Sequence, residues 1–424
     1  GDRLLVQADW KHLRTAKSNG AFGYNFDGAL EEYVVVDERC VVSPDGEEYL
    51  IHVSEGPSAA AVGLIEPWAT VEGSYAWVER DHVADGGRLL VVGEGDIDAL
   101  TAEHKPAEVV RVAADAIEGV QGEFDDVVFF GSDADAIEKA ALLIGTRGTM
   151  CVVLGGGSIE RKVSLDIGRV HYDFIRFCGT TGSDPREGYA WIPANGDLRE
   201  NDRCVFVGAA GPMGVMHTMR AVTSGVPGVS VVGTDLSDER LANLAAVVGP
   251  TAEKNGVPLD IINTASTPLE HGYTYATCLV PVPALVSQAV DLLAEGGILN
   301  AFAGIPAGTF GDFDLQGIIE RQIFMLGTSG SDVSDMRTVL RKIEAGIIDT
   351  TISLWAITGM AGFGDAINAV MNRTSGGKIM VFPSLHDLGL TPLSELPEKF
   401  PQVAAAMKDG LWTKESEEAL LATE

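Results

Sequence analysis

Cys204-Val205-Phe206-Val207 runs straight into Gly208-Ala209-Ala210-Gly211-Pro212-Met213-Gly214 and then Val215-Met216-His217-Thr218-Met219. An apolar strand feeding a glycine turn that opens an apolar helix is a local geometry that receives a pyrophosphate. The glycines fold the turn tightly and let backbone N–H groups approach the phosphate at the helix N-terminus. The spacing is G-x-x-G-x-x-G, one residue longer at the front than the usual pattern, and a glycine triplet by itself is weak evidence. The second strand, Val229-Ser230-Val231-Val232-Gly233-Thr234, strengthens it by ending at Asp235, 21 residues after Gly214. A carboxylate there accepts hydrogen bonds from adenosine ribose hydroxyls and repels a 2′-phosphate. That favours NAD over NADP, with Arg240 pulling the other way. The competing reading, a phosphate-free turn with packing glycines, is weaker because strand, turn, helix and acidic residue occur in order.

Outward from this turn, the chain from Gly86 onward alternates strand and helix, the pattern of a parallel sheet covered on both faces. The alternation occurs twice. The first pass predicts strands at Arg88–Val92, Asp126–Phe130 and Gly148–Leu154, with a helix over Ala134–Leu143. The second predicts strands at Cys204–Val207, Val229–Thr234, Asp260–Asn263 and Gly297–Phe302. Each pass closes on one signature, Cys178-Gly179-Thr180-Thr181-Gly182-Ser183-Asp184 against Leu326-Gly327-Thr328-Ser329-Gly330-Ser331-Asp332. The matched residues share an offset of 148, which reads as an internal duplication. The first copy's turn, Gly93-Glu94-Gly95-Asp96, puts a carboxylate where a phosphate would lie, so that copy reads as structural.

Residues 1–84 read as short β segments, Leu4–Val6, Tyr33–Val36 and Tyr49–Val53, parted by Asn19-Gly20, Asp27-Gly28 and Pro44-Asp45-Gly46. A helix over Ala59–Glu79, interrupted near Pro67, follows. Beyond Asp332 the pattern predicts a helix over Met336–Glu344 closed by Gly346, a strand over Thr351–Trp355, a helix over Ala361–Met371 and a strand over Lys378–Phe382. Residues 384–424 form a tail, helical around Val403–Met407 and Lys414–Leu421. The fold class is α/β, a β-rich first part plus two tandem parallel-sheet units. The divisions expected are 1–84 joined by 333–383, then 85–200, 201–332 and 384–424.

Composition narrows the function. With 46% hydrophobic and 21% charged residues the chain can bury a core. A formal charge of −31 argues against a phosphate-backbone partner, so no nucleic acid is expected. No apolar run reaches membrane-spanning length, and the first residues lack the order of a secretory signal; the default address is cytoplasmic. The five cysteines are scattered with no C-x-x-C, which argues against a disulfide framework or a cysteine-built zinc site.

These motifs carry a resemblance. Gly208–Gly214 with Asp235, Leu299-Asn300-Ala301-Phe302-Ala303-Gly304-Ile305-Pro306-Ala307-Gly308 and the Gly327 signature resemble the Rossmann coenzyme domain of the zinc-type, medium-chain alcohol and polyol dehydrogenases. Upstream, Gly1-Asp2-Arg3, Gly28-Ala29-Leu30-Glu31-Glu32-Tyr33-Val34 and Leu64-Ile65-Glu66-Pro67-Trp68-Ala69 resemble that family's GroES-like catalytic domain, in the right order. Ala21-Phe22-Gly23-Tyr24 and Leu411-Trp412-Thr413-Lys414-Glu415 are similar to the L-sorbose-1-phosphate reductase-like branch. The resemblance implies reversible hydride transfer between NAD(H) and a secondary hydroxyl of a polyol or sugar phosphate, by a homo-oligomer. It implies that Thr264 touches the adenosine part, that Gly304 and Ile305 touch the nicotinamide ribose, and that Glu66 lies at a catalytic zinc. For Glu66, the alternative is a carboxylate at a helix start.

The family's other zinc ligands, a cysteine and a histidine, precede its Gly-Asp-Arg motif, and this chain opens at that motif with Gly1. Cys40 and His52 read as packing or surface residues rather than substitutes. Two expectations stay open: a fragment of a longer enzyme, or a non-catalytic dinucleotide-binding or subunit protein without the zinc site. Tyr24 and Asn25 read as pocket or turn residues. His12 with Lys11 and Arg14 reads as a solvated charge cluster in a loop, and His271 beside Tyr273 and Tyr275 as a surface loop.

Overall fold

Short apolar runs separated by helices bury both faces of each strand, so they associate side by side in parallel. The computed structural model describes residues 1–15, 19–372 and 374–423. It forms two compact units, residues 1–73 with 211–216 and 330–424, and residues 74–210 with 217–329. Both large sheets belong to the second unit.

The first copy runs β1 (Arg88–Val92), β2 (Glu108–Val112), β3 (Phe124–Phe130), β4 (Ile144–Val153), β5 (Val163–Asp166) and β6 (Arg176–Thr180). Its parallel sheet has the spatial order β6-β4-β3-β1-β2. The second runs β7 (Arg203–Val207), β8 (Ser230–Asp235), β9 (Leu259–Asn263), β10 (Tyr273–Cys278), β11 (Leu293–Ala301), β12 (Phe310–Phe313) and β13 (Phe324–Leu326). Its order is β9-β8-β7-β10-β11-β13, all parallel. Matched in space, β2-β1-β3-β4-β6 repeats β8-β7-β10-β11-β13, a Rossmann-like order whose reversal beside β7 opens the crevice where such sheets bind ligands. In the first copy β1 passes through bends and turns, residues 93–104, to β2, with no helix in between.

The two copies meet through equivalent pieces. β5 pairs antiparallel with β12, Val163 opposite Phe313 and Asp166 opposite Phe310. Asp166 caps the helix Ile167–Tyr172 through the Arg169 amide, and Asp314 caps Leu315–Glu320 through the Gly317 amide. These caps stand at the same 148-residue offset as the signature. Like surface therefore meets like surface, as in a two-fold dimer, within one chain. One core joins them: Val127, Phe129 and Val152 share a buried cluster with Leu299, Phe313 and Ile318. Each such side chain contributes about 1.5–3 kcal/mol of transfer free energy.

In the first unit, Leu4–Val6 pairs antiparallel with Leu50–His52. Helices Ala59–Gly63, Ile65–Ala76 and Val333–Glu344 and the parallel strands Leu354–Thr358 and Lys378–Val381 complete its frame. The tail helix Lys414–Leu421 is bonded to it: Glu417 accepts from the Ala59 and Ala60 amides at 2.6 and 2.9 Å, satisfying two donors at a helix start.

Several local expectations are corrected. Tyr33–Val36 forms no strand; Tyr33 and Val35 are 89% and 95% exposed, and a lone apolar run finds no ladder partner. Asn19–Ala21 is itself a strand, paired with Asp9–Arg14, so Asn19-Gly20 is not a separator. That places His12 in a strand, its Nε2 2.8 Å from the Arg39 carbonyl oxygen, rather than in a loop. The helix break falls at Leu64, not at Pro67, which sits in the first turn of Ile65–Ala76 where its missing N–H costs nothing. Thr351–Ser353 is 3₁₀ and the strand begins at Leu354. His271 lies in an exposed bend, as expected, while the neighbouring Tyr273–Cys278 forms the central strand β10, with both tyrosines buried between β7 and β11.

Candidate dinucleotide site

β7 ends at Val207, and Gly208 turns the chain with φ +86°. A Cβ on Gly208 would sit 2.6 Å from Val280 Cγ2, so both backbone and space demand glycine. The Gly208 and Ala209 amides donate to the Thr234 carbonyl at 3.0 and 2.8 Å, locking the turn onto β8. The chain then enters the helix Pro212–Val222, with Pro212 in its first turn and Val215 N–H on the Gly211 carbonyl at 2.9 Å. Met213 is half-buried and Gly214 buried.

Asp235 closes β8 and is 7% exposed. Its Oδ1 accepts from the Leu236 and Ser237 amides at 2.7 and 3.1 Å and from the Arg240 guanidinium. All these contacts fall on one oxygen, which fixes the carboxylate's direction. The Thr264 amide donates to the Asp235 carbonyl at 3.2 Å. A cavity of about 330 Å³ opens at this edge, lined by Val207, Thr234, Thr264, Leu269, His271 and Gln288 among others. The structure thus gathers Gly208, Asp235, Arg240 and Thr264 at the carboxyl ends of adjacent strands. Gly304 is exposed beside Tyr172, whose hydroxyl would lie 2.9 Å from an added Cβ. Ile305 is 2% exposed in the shared core, so its side chain is committed to packing.

Sequence reasoning missed a buried polar cluster in the second unit. His217 is fully buried, its Nδ1 2.8 Å from the Tyr75 hydroxyl. Arg220 lies over the Tyr75 ring at 3.8 Å and pairs with Asp197 at 2.9 Å. Tyr275 stacks on Tyr75 with centroids 5.6 Å apart and donates to the Gly196 carbonyl at 2.7 Å. Burial, with the Arg220 charge, pushes the His217 imidazole down to about 3. The signal was present: His217 and Arg220, three residues apart, interrupt an otherwise apolar helix.

Glu66 belongs to the first unit. It sits in the first turn of Ile65–Ala76 and lines a cavity of about 490 Å³ with Arg3, Leu5, Val6, Val53 and Pro67. Burial raises its carboxyl above the usual range, while the Lys378 charge and the Thr70 hydroxyl hold it back. Burial likewise depresses Lys378, against the pull of Glu66. Cys40 is buried at the end of the 3₁₀ turn Glu38–Cys40, and His52 is exposed. Among the described residues, no group of three histidine, cysteine or acidic donors includes Glu66. The residues present therefore do not make a zinc site around it.

No family model matches the chain. It is 27% identical over 248 residues to the uncharacterized protein YggP of Escherichia coli K12, an overlap of 53% of this chain and 57% of that one. It is 27% identical over 246 residues to mannitol-1-phosphate 5-dehydrogenase of Aliivibrio fischeri, covering 53% and 57%. L-sorbose 1-phosphate reductase of Klebsiella pneumoniae matches at 27% over 233 residues, covering 53% and 56%. The chain thus spans little more than half the length of the curated relatives it matches. Among solved structures, L-idonate 5-dehydrogenase of Escherichia coli is similar at 16% identity with a TM-score of 0.35, over 43% of this chain and 50% of that one. Over little more than half its length the chain is thus similar in sequence to proteins named as a mannitol-1-phosphate dehydrogenase and an L-sorbose 1-phosphate reductase.

Proposed function

We propose that the chain binds NAD and belongs to an oxidoreductase moving hydride between NAD(H) and a secondary hydroxyl of a polyol or sugar phosphate. The observation that carries the reading is the turn at Gly208, closed to any side chain, lying on the strand that Asp235 ends. Bound NAD supplies the hydride acceptor. Backbone amides at Gly211, Pro212's successor Met213, and Gly214 open a helix and suit a pyrophosphate. Asp235, its Oδ1 already occupied, offers Oδ2 to a ribose hydroxyl, and Thr264 borders the adenosine end. The backbone at Gly304 and Ile305 serves the nicotinamide ribose. Toward a catalytic zinc the described residues supply one carboxylate, Glu66, whose charged neighbour is Lys378.

The Lys378 charge beside Glu66 is the observation that favours a second reading, a dinucleotide-binding subunit without metal chemistry. Titrating the protein with NADH by fluorescence, alongside turnover with mannitol 1-phosphate and sorbose 1-phosphate, separates the two. Saturable binding that Asp235→Ala weakens at least tenfold supports the NAD site. Binding without turnover selects the subunit reading, and absence of binding overturns both.

A further inference from the structure

We propose that His82, Asp85 and His104 form a binding site for a divalent transition metal at the amino-terminal edge of the first sheet. One donor atom from each lies within 4.8 Å of the others, the sole such group of three among the described residues. His82 and Asp85 stand in the loop entering β1, and His104 in the turn entering β2. The crevice described above lies at the opposite, carboxyl edge of the other sheet.

The backbone carrying these donors is held from several sides. Gly86 N–H donates to the Lys105 carbonyl at 2.8 Å, Ala107 N–H to the Gly87 carbonyl at 2.8 Å, and Lys105 N–H to Asp85 Oδ1 at 2.9 Å. Beneath them Arg80 donates to the His82 carbonyl and pairs with the buried Asp126 at 2.8 Å, and Asp126 also accepts from the Ala84 amide at 2.7 Å. Val83, between His82 and Asp85 in the chain, is fully buried. A site held by its surroundings loses little freedom on binding.

The imidazoles are oriented for ligation. His82 Nδ1 lies 2.9 Å from Asp81 and His104 Nδ1 2.8 Å from Asp85. On His82 the Asp81 carboxylate keeps the proton at Nδ1 and leaves the lone pair on Nε2, whereas at His104 an ion would lie between Nδ1 and Asp85 Oδ2, replacing the proton they share, which moves to Nε2. The rings stack with centroids 3.7 Å apart and planes 25° off parallel, which keeps the two imidazoles side by side at the mouth of the loop. Asp85 has oxygen lone pairs beyond those used by Lys105 and His104. Two imidazole nitrogens and a carboxylate suit zinc, nickel or copper(II), and poorly suit magnesium or calcium. Bonds of about 2.0–2.2 Å require the donors to draw together, and the histidine side chains, 37% and 36% exposed, have room to turn. The ion would tie the loop before β1 to the turn before β2.

The test uses the chelator-stripped full chain titrated with zinc and nickel by calorimetry, and with copper(II) by electron paramagnetic resonance. One equivalent of metal should bind at this site, and His104→Ala and Asp85→Asn should each weaken it at least tenfold. Glu66→Gln should leave it unchanged, which separates this site from a zinc near the first-unit cavity. Copper hyperfine structure from two nitrogens supports the assignment. Unaltered binding by the His82→Ala/His104→Ala double variant, folded by circular dichroism, overturns it, as does an oxygen-only copper spectrum.

Discussion

Arg240 and Asp235 form an ion pair in which the guanidinium shares one carboxylate oxygen, Oδ1, with the Leu236 and Ser237 amides. The negative charge is thereby aimed, and a cation waits behind it on a side chain that is 58% exposed. Replacing Asp235 by Ser removes the repulsion of a 2′-phosphate and releases Arg240 to pair with it. The NADPH-to-NADH ratio of dissociation constants should shift toward NADPH by at least about tenfold, about 1.4 kcal/mol. Fluorescence titration with both cofactors measures it; a ratio unmoved in Asp235→Ser would exclude this pair as the determinant.

Gly208 and Gly225 separate two costs of adding a methyl group. Both have positive φ, +86° and +72°, but a Cβ at Gly208 meets Val280 at 2.6 Å whereas one at Gly225 meets nothing within 4 Å. Gly225→Ala should cost about 1 kcal/mol of backbone strain, and Gly208→Ala about 2–3 kcal/mol with loss of NADH binding. Urea denaturation of the two variants checks the difference.

His217 should make stability fall in acid. Its folded-state pKa of about 3 lies below the ordinary 6.5, so the unfolded chain takes a proton that the folded chain refuses. Stability is unaffected above pH 6.5 and declines as pH falls from there toward 3. The decline is about 1.4 kcal/mol per unit once below 6, or about 2 kcal/mol at pH 5. In His217→Gln that portion of the slope should vanish, and denaturation midpoints at pH 7 and 5 report it.

The seam between the copies offers a steric test. A Cβ on Gly168 would lie 2.1 Å from the Pro306 carbonyl oxygen, a backbone atom that cannot swing aside. Gly168→Ala should destabilise the second unit by about 2–4 kcal/mol. Gly364→Ala, in the exposed face of Phe363–Met371 with nothing within 4 Å, should instead stabilise by about 0.5–1 kcal/mol. Chemical denaturation that ranks the two the other way would refute the packing account.

Much of this was legible beforehand. β1 and the helix Lys414–Leu421 match their expected bounds, β7 and β9 begin one residue earlier than expected, and β8 is shifted by one residue at each end. The repeated signature has a physical counterpart, since Asp184 and Asp332 both stand at helix N-caps. β10 escaped notice because Tyr273, Thr274 and Thr277 give it no continuous apolar run; only pairing on both edges makes it central. Tyr33–Val36 failed in the opposite sense, having strand composition and no partner.

Sequence alone determined the alternation of strand and helix, the doubled unit and the glycine turn with its acidic neighbour, because periodicity, capping and glycine's freedom act over a few residues. Tertiary structure decided that Val163 faces Phe313, that His217 is sealed against Tyr75, that Arg240 takes Oδ1 of Asp235 and that His82 meets His104. Those pairings depend on which surfaces exclude water together and on where a charge can point once its backbone is placed. No local pattern carries that information.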